Sequence, residues 1–256
     1  MATQTSAERR TAFVTGASYG VGAATALALA RDGYDVAVSA TRAENLKATL
    51  SQLEATGARV VPVTLDLRSQ PSIERAMAEI VAAFGHLDLL VNNAGANLRK
   101  LAIDVTPEQW NAIMDVNVTG TFLMSQQVGR HMIAGGRGGC IVSIASTHGL
   151  VAAPERSIYG ISKAALIQMT RALAVEWAEH GICVNAVAPA RLETTSPSRA
   201  TTAANPEYMK AMLRRIPLHR LGTADEVAAA VCYLASPQAA WITGQTLVMD
   251  GGLTAA

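Results

Sequence analysis

Tyr159 and Lys163 stand four residues apart in "SIYGISK", residues 157–163, between small residues at what reads as the start of a helix. On a helix that spacing stacks both side chains on one face, with the Lys163 ammonium beneath the Tyr159 phenol. Such a pair is either surface decoration or an acid–base device. Thirteen residues before Tyr159 the run "CIVSIAS" ends at Ser146, where a hydroxyl can point across the carboxyl edge of a sheet. Each residue also has a bland explanation: a strand-end cap, a core aromatic with a wet tip, a solvated helix lysine. His148 reads as an exposed loop histidine with no catalytic role. Ser143 and Ser157 lack the spacing and read as structural.

A second set of residues suits an anion. "TGASYGVG", residues 15–22, follows the first apolar strand and opens the first helix. Glycines let the backbone turn tightly and approach a pyrophosphate, while the amides and the positive dipole end of a helix attract its charge. Gly16, Ser18, Tyr19, Gly20, Val21 and Gly22 are the candidate contacts, with a spacing of GxxxGxG rather than GxGxxG. In a doubly wound sheet further nucleotide contacts come from the carboxyl ends of neighbouring strands. Asp66 and Leu67, after "VVPVT", and Asn93, Ala94 and Gly95 of "NNAG" occupy such ends. At the end of the second strand an acid would hydrogen-bond the 2'-OH of a dinucleotide's ribose and repel a 2'-phosphate. Ala40 stands there instead, followed by Thr41 and Arg42, which can donate to phosphate. NADP(H) is therefore the expected cofactor, with NAD(H) the alternative.

The elements that position these groups are legible as alternating short β-branched runs and alanine-rich amphipathic stretches. "TAFVTG", "DVAVSA", "VVPVTLD", "LDLLVNNAG", "GCIVSIAS", "ICVNAVAP" and "TLVMD" read as strands. Runs apolar on both faces and separated by helices imply a parallel sheet covered on each side. The expected fold is α/β: one Rossmann-like, doubly wound parallel sheet of about seven strands, flanked by helices in a single domain over residues 1–256. Residues 1–10 read as a flexible leader, and the polar stretch around "ETTSPSRATTAANPEY" as a substrate lid over 191–215.

Bulk properties narrow the partner. The 256 residues carry a formal net charge of +1 and are 50% hydrophobic, without a basic stripe for nucleic acid. The three cysteines, Cys140, Cys183 and Cys232, form no CxxC pair, which argues against both a disulfide framework and a metal site. No signal-peptide core opens the chain, and no apolar run approaches the ~18 residues of a membrane span. A cytoplasmic protein acting on a small molecule is the expectation, with neither nucleic acid nor membrane as partner.

"TGASYGVG", "NNAG", Ser146 and "YGISK", in that order, resemble the short-chain dehydrogenase/reductase family over roughly residues 10–253. The resemblance implies an oxidoreductase that interconverts a secondary alcohol and a ketone. It implies Tyr159 as general acid/base, Lys163 as the cation that favours phenolate and binds the nicotinamide ribose, and Ser146 as donor to the carbonyl oxygen. A free phenol titrates near ~10, too high for a base at neutral pH, and a nearby cation lowers it. By the same resemblance Asn117, in "MDVNVTG", extends a proton relay through a water held by its backbone. In "PARLET", Pro189, Leu192 and Thr194 match the nicotinamide carboxamide contacts, while Ala190 departs from glycine. Were that backbone left-handed, alanine would cost on the order of 1 kcal/mol. The tail from "HRLGTADEV" and "LRK" after "NNAGAN" resemble sugar-acid (gluconate-type) dehydrogenases and 3-oxoacyl thioester reductases. A regulatory nucleotide-binding protein without turnover is the alternative from another class. The family also implies a homotetramer, in keeping with apolar residues on more than one face of "ALIQMTRALAVEWA".

Overall fold

The computed structural model describes residues 9–193 and 206–255. Its seven strands are β1 (Arg10–Val14), β2 (Tyr34–Ala40), β3 (Val60–Thr64), β4 (Leu89–Asn92), β5 (Gly139–Ile144), β6 (Ile182–Pro189) and β7 (Thr246–Met249). All pair in parallel, in the order β3-β2-β1-β4-β5-β6-β7. The chain builds outward from β1 in one direction, then starts again at β4 and builds in the other. That reversal opens a crevice at the carboxyl ends of β1 and β4.

The eight α-helices of the described residues are α1 (Gly20–Arg31), α2 (Lys47–Glu54), α3 (Gln70–Phe84), α4 (Pro107–Met114), α5 (Thr121–Gly135), α6 (Ser157–Trp177), α7 (Pro206–Arg214) and α8 (Ala224–Leu234). Strand periodicity divides the apolar residues between two cores. Ala12, Val14, Val36, Val38, Leu89, Val91 and Val142 pack on α1 and α8 through Ala26, Leu29, Val227 and Val231. Their neighbours Phe13, Ala37, Leu90 and Ile141 face the other way, onto Ile73 and Ile80 of α3, Met124 and Val128 of α5 and Leu173 of α6. Pro62 is tolerated in β3 because that strand is an edge. Helices α3, α4 and α8 start at side-chain caps, Ser69, Thr106 and Thr223, the last two as reciprocal capping boxes.

Two residues of the expected flexible N-terminus, Arg9 and Arg10, are held in the fold. Arg10 belongs to β1 opposite Tyr34, and the Arg9 guanidinium lies 3.1 Å from the Asp35 carboxylate, so ordinary strand pairing and an ion pair hold both residues. Residues 1–8 lie outside the described residues, as does the larger part of the expected lid, Thr194 included. No helix of the described residues is long and apolar enough to cross a membrane. The three cysteines are unbridged, and burial pushes the Cys140 thiol up to about 12.

Candidate active site

The turn after β1 is shaped by glycine and then tied to β4. Gly16 has φ +65°, and a Cβ there would lie 2.8 Å from Ala94 Cα, so both backbone conformation and space exclude a side chain. Thr15 Oγ1 accepts from the Asn93 and Ala94 amides at 3.0 Å each. The Asn93 side-chain amide donates back to the carbonyls of Thr15 (3.0 Å) and Gly16 (2.8 Å). Asn93 is thus a strut between the two loops, its amide spent on the turn. Beyond the turn α1 begins at Tyr19 without a side-chain cap, and the space beside Gly20 is open. Uncapped N–H groups at a helix start, with room above them, suit the pyrophosphate of a dinucleotide. Ser18, Gly20 and Val21 are half-buried around this opening, Gly22 is buried beneath it, and Tyr19 is exposed.

The ends of β2 and β3 flank it. The Ser39 carbonyl accepts from the Ala17 amide at 2.8 Å, which brings the β2 exit against the glycine turn. Ala40 is buried there, and Thr41 and Arg42 are exposed in the connection that follows. Asp66 is already engaged. Its two oxygens accept from Arg68 Nε (3.0 Å) and a terminal nitrogen (2.7 Å), and that hydrogen-bonded guanidinium holds its carboxyl below the usual carboxylate range. An adenine at Asp66 would share the carboxylate with Arg68. The Leu67 side chain is buried in the core, so only main-chain groups of Leu67 can face a nucleotide.

The catalytic candidates converge where β4, β5 and α6 meet. Lys163 is 4% exposed, its Nζ donates to the Ile144 carbonyl at 2.7 Å, and burial drives its pKa down to about 8. The Tyr159 ring, one turn earlier on α6, has its centroid 5.7 Å from that nitrogen. Two residues beyond Ile144, Ser146 Oγ accepts from the His148 amide at 3.2 Å, which occupies a lone pair and leaves the O–H as a donor. A Cβ on Gly95 would stand 3.3 Å from Asn117 Oδ1 and 3.6 Å from Lys163 Nζ, so the end of "NNAG" lies over both.

Asn117 does not lie in regular α-helix. Residues Asp115–Gly120 form a π-helical segment between α4 and α5, where each turn takes an extra residue. One extra residue leaves too little trace in a hydrophobic pattern to be read from sequence. Asn117 Oδ1 accepts from the Ala96 amide (2.7 Å), and Nδ2 donates to the Ala96 carbonyl and to Ser162 Oγ (2.9 Å each). Ser162 Oγ in turn donates to the Tyr159 carbonyl at 2.8 Å. This chain of bonds clamps the first turns of α6 to the loop after β4.

At the β6 exit the Ala190 amide donates to the Met249 carbonyl at 2.9 Å. The non-glycine residues with positive φ among those described are Glu155 and His219, so alanine at 190 carries no left-handed strain. Pro189 is buried at the end of β6, and Leu192 forms a bridge with Gly222.

Two features depart from the sequence reading: His148 is not the exposed loop residue expected, because α6 packs against it, and two loops are joined. His148 is half-buried, its ring set edge-on to Tyr159 at 6.1 Å and 77°, and its Nδ1 is buried with no hydrogen-bond partner. The loops before α4 and α6 are also joined: Arg99 to Glu155 (2.6 Å), Arg156 to Asn97 Oδ1 (2.9 Å), and the Lys100 amide to the Glu155 carbonyl (3.0 Å). Arg99, Lys100, Glu155 and Arg156 thus belong to one pair of joined loops, with Lys100 Nζ donating to Gln109 Oε1 at 3.1 Å. "LRK" was the available signal; its partner loop is 56 residues away in the chain.

Comparison with known proteins gives the same placement throughout. A family model described as enoyl-(acyl carrier protein) reductase matches residues 16–254. Glucose 1-dehydrogenase of Gluconobacter oxydans is 38% identical over 94% of this chain and 91% of its own. The 3-oxoacyl-(acyl-carrier-protein) reductase of Thermotoga maritima is 36% identical over 96% and 98%. The crystal structure of a gluconate 5-dehydrogenase from Burkholderia cenocepacia, in complex with NADP and tartrate, aligns with a TM-score of 0.91 at 32% identity over 96% of each chain. Likeness of this extent, in sequence and in backbone, means that the chain belongs to the short-chain dehydrogenase/reductase family of oxidoreductases.

Proposed function

We propose that the protein is an NADP(H)-dependent oxidoreductase that interconverts a secondary alcohol and a ketone, with a hydroxylated or sugar-acid type of substrate. The observation that carries this reading is the Lys163 ammonium, buried and tied to Ile144, 5.7 Å from the Tyr159 ring. A cation beside a phenol favours phenolate and lets the group exchange a proton near neutral pH. In ketone reduction Tyr159 hands its proton to the substrate oxygen as negative charge develops there. Ser146 donates a hydrogen bond to the same oxygen, lowering the energy of that charge. Asn117 holds the β4 loop and α6 together and offers its main chain to the water that leads protons to Lys163. NADPH, when bound, supplies the hydride. Gly16, Ser18, Gly20, Val21 and Gly22 would hold its pyrophosphate, with Lys163 on the nicotinamide ribose and Pro189 and Leu192 near the carboxamide.

Preference for NADP(H) rests on exposed Thr41 and Arg42 after Ala40. The double change Ala40→Asp with Arg42→Ala is expected to swing the NADPH/NADH ratio of kcat/KM by about a hundredfold toward NADH, the worth of a few charge-assisted contacts. An unmoved ratio in steady-state assays removes the assignment.

For the substrate, an oxygen-rich molecule is supported by a related gluconate 5-dehydrogenase, solved in complex with NADP and tartrate. A 3-oxoacyl thioester is the second reading, supported by the 36% identical Thermotoga enzyme. Following NADPH fluorescence with 5-keto-D-gluconate, other sugar ketoacids and acetoacetyl thioesters separates the two, and binding without oxidation on any of them refutes the enzyme reading.

A second copy of the chain is the macromolecular partner we infer. Phe122 (40% exposed), Ile133, Met169 and Trp177 line an apolar groove between α5 and α6. Sedimentation equilibrium is expected to give four chains; monomers alone refute it.

A further inference from the structure

His148 stands at the reacting end of the site with its environment already set. Its amide is bonded to Ser146 Oγ (3.2 Å), and its carbonyl presses on the first turn of α6, where a Cβ on Gly160 would come within 2.8 Å of it. The backbone that carries the ring is therefore held by both Ser146 and the helix of Tyr159. The ring lies edge-on to the Tyr159 ring, with centroids 6.1 Å apart.

One of its two nitrogens has no work inside the protein. Nδ1 is buried and meets no hydrogen-bond partner. A proton placed there would be a buried donor without an acceptor, and the charge of Arg156 further disfavours a cationic ring. Burial first, then Arg156, holds the ring below its ordinary pKa, so it is neutral at pH 7. A neutral imidazole with a lone pair on Nδ1 carries its one hydrogen on Nε2. On this argument the half-buried ring has its one donor at Nε2, with its centroid 6.1 Å from that of Tyr159.

We propose that His148 is a specificity-determining residue whose Nε2–H donates to an oxygen on the substrate carbon next to the reacting carbonyl, so that α-hydroxy ketones and vicinal diols are preferred over plain ketones and alcohols. The proposal rests on the oxidoreductase reading above and names the feature of the substrate that the site selects. Ser146 and Tyr159 serve the reacting oxygen, and His148 serves its neighbour.

The test uses two matched pairs with NADPH: 3-hydroxybutan-2-one against butan-2-one, and 2-hydroxycyclohexanone against cyclohexanone. Wild-type protein is expected to favour the hydroxy ketone in kcat/KM. His148→Leu is expected to lose about tenfold on the hydroxy ketones, the worth of one neutral hydrogen bond, and less than twofold on the plain ketones. His148→Gln, whose amide nitrogen falls near the place of Nε2, is expected to restore most of the preference, which excludes a merely structural effect. The proposal is overturned if His148→Leu leaves the hydroxy-to-plain ratio within twofold of wild type, or if both members of each pair fall together in both variants. Plain ketones turned over without any hydroxy preference overturn this proposal alone. NADPH bound with no ketone reduced overturns the oxidoreductase reading and this one with it.

Discussion

Tyr159→Phe is expected to lower kcat for ketone reduction by about a thousandfold while NADPH binding, followed by fluorescence, stays within a few-fold of wild type. The substitution removes one oxygen and keeps the ring that packs against His148. Any loss is then a loss of proton transfer. Turnover left untouched would end the assignment of Tyr159 as the acid. The pH dependence carries the same signature. Lys163 is a cation below its folded pKa of about 8 and loses that charge above it, so reduction is expected to fall as pH rises through about 8. Stability moves the opposite way. An unfolded lysine titrates near ~10.4, so between about 8 and ~10.4 the unfolded chain binds more protons, and this group's contribution to stability rises with pH. Falling activity with steady or rising thermal stability over that window separates loss of the cation from loss of the fold.

Gly120→Ala is expected to destabilise the protein by about 3 kcal/mol in urea unfolding, and to reduce turnover of whatever folds. A methyl group at Gly120 would lie against the Leu67 carbonyl oxygen, 2.6 Å from Leu67 Cβ and 2.8 Å from its carbonyl carbon. The obstacle is largely main chain of the connection after β3, which cannot rotate away as a side chain can. Gly120 also ends the π-helical segment that holds Asn117 on Ala96 and Ser162, so relief of the clash shifts the clamp on α6. Gly135→Ala is the control: it lies at the end of α5 with nothing within 4 Å of its Cβ position, and helix propensity makes it neutral or stabilising by up to about 1 kcal/mol. Equal effects at both positions would show that close packing at Gly120 is not what matters.

The strands, their parallel pairing and the glycine turn were legible because each is recorded in adjacent residues. Runs such as "TAFVTG" and "ICVNAVAP" are apolar on both faces, and only a sheet covered twice buries both faces of such a run. A four-residue spacing likewise puts Lys163 under Tyr159 wherever the helix lies. The same local reasoning left open what depends on atoms far along the chain. Asn93 is a candidate nucleotide contact by its place after β4, and its amide is spent on Thr15 and Gly16, nearly eighty residues earlier in the chain. The cost anticipated at Ala190 does not arise, because that peptide hangs from β7 in an ordinary conformation. The π-helical turn around Asn117 and the burial of His148 are decided by what packs on them: the loop at Ala96 for one, α6 for the other. Sequence by itself determined which groups can transfer a proton and which turn can take a phosphate, since those are properties of residue type and local geometry. Tertiary structure decided which polar atoms are already used and which remain for a ligand, since a hydrogen bond between distant segments exists only once the sheet has brought them together.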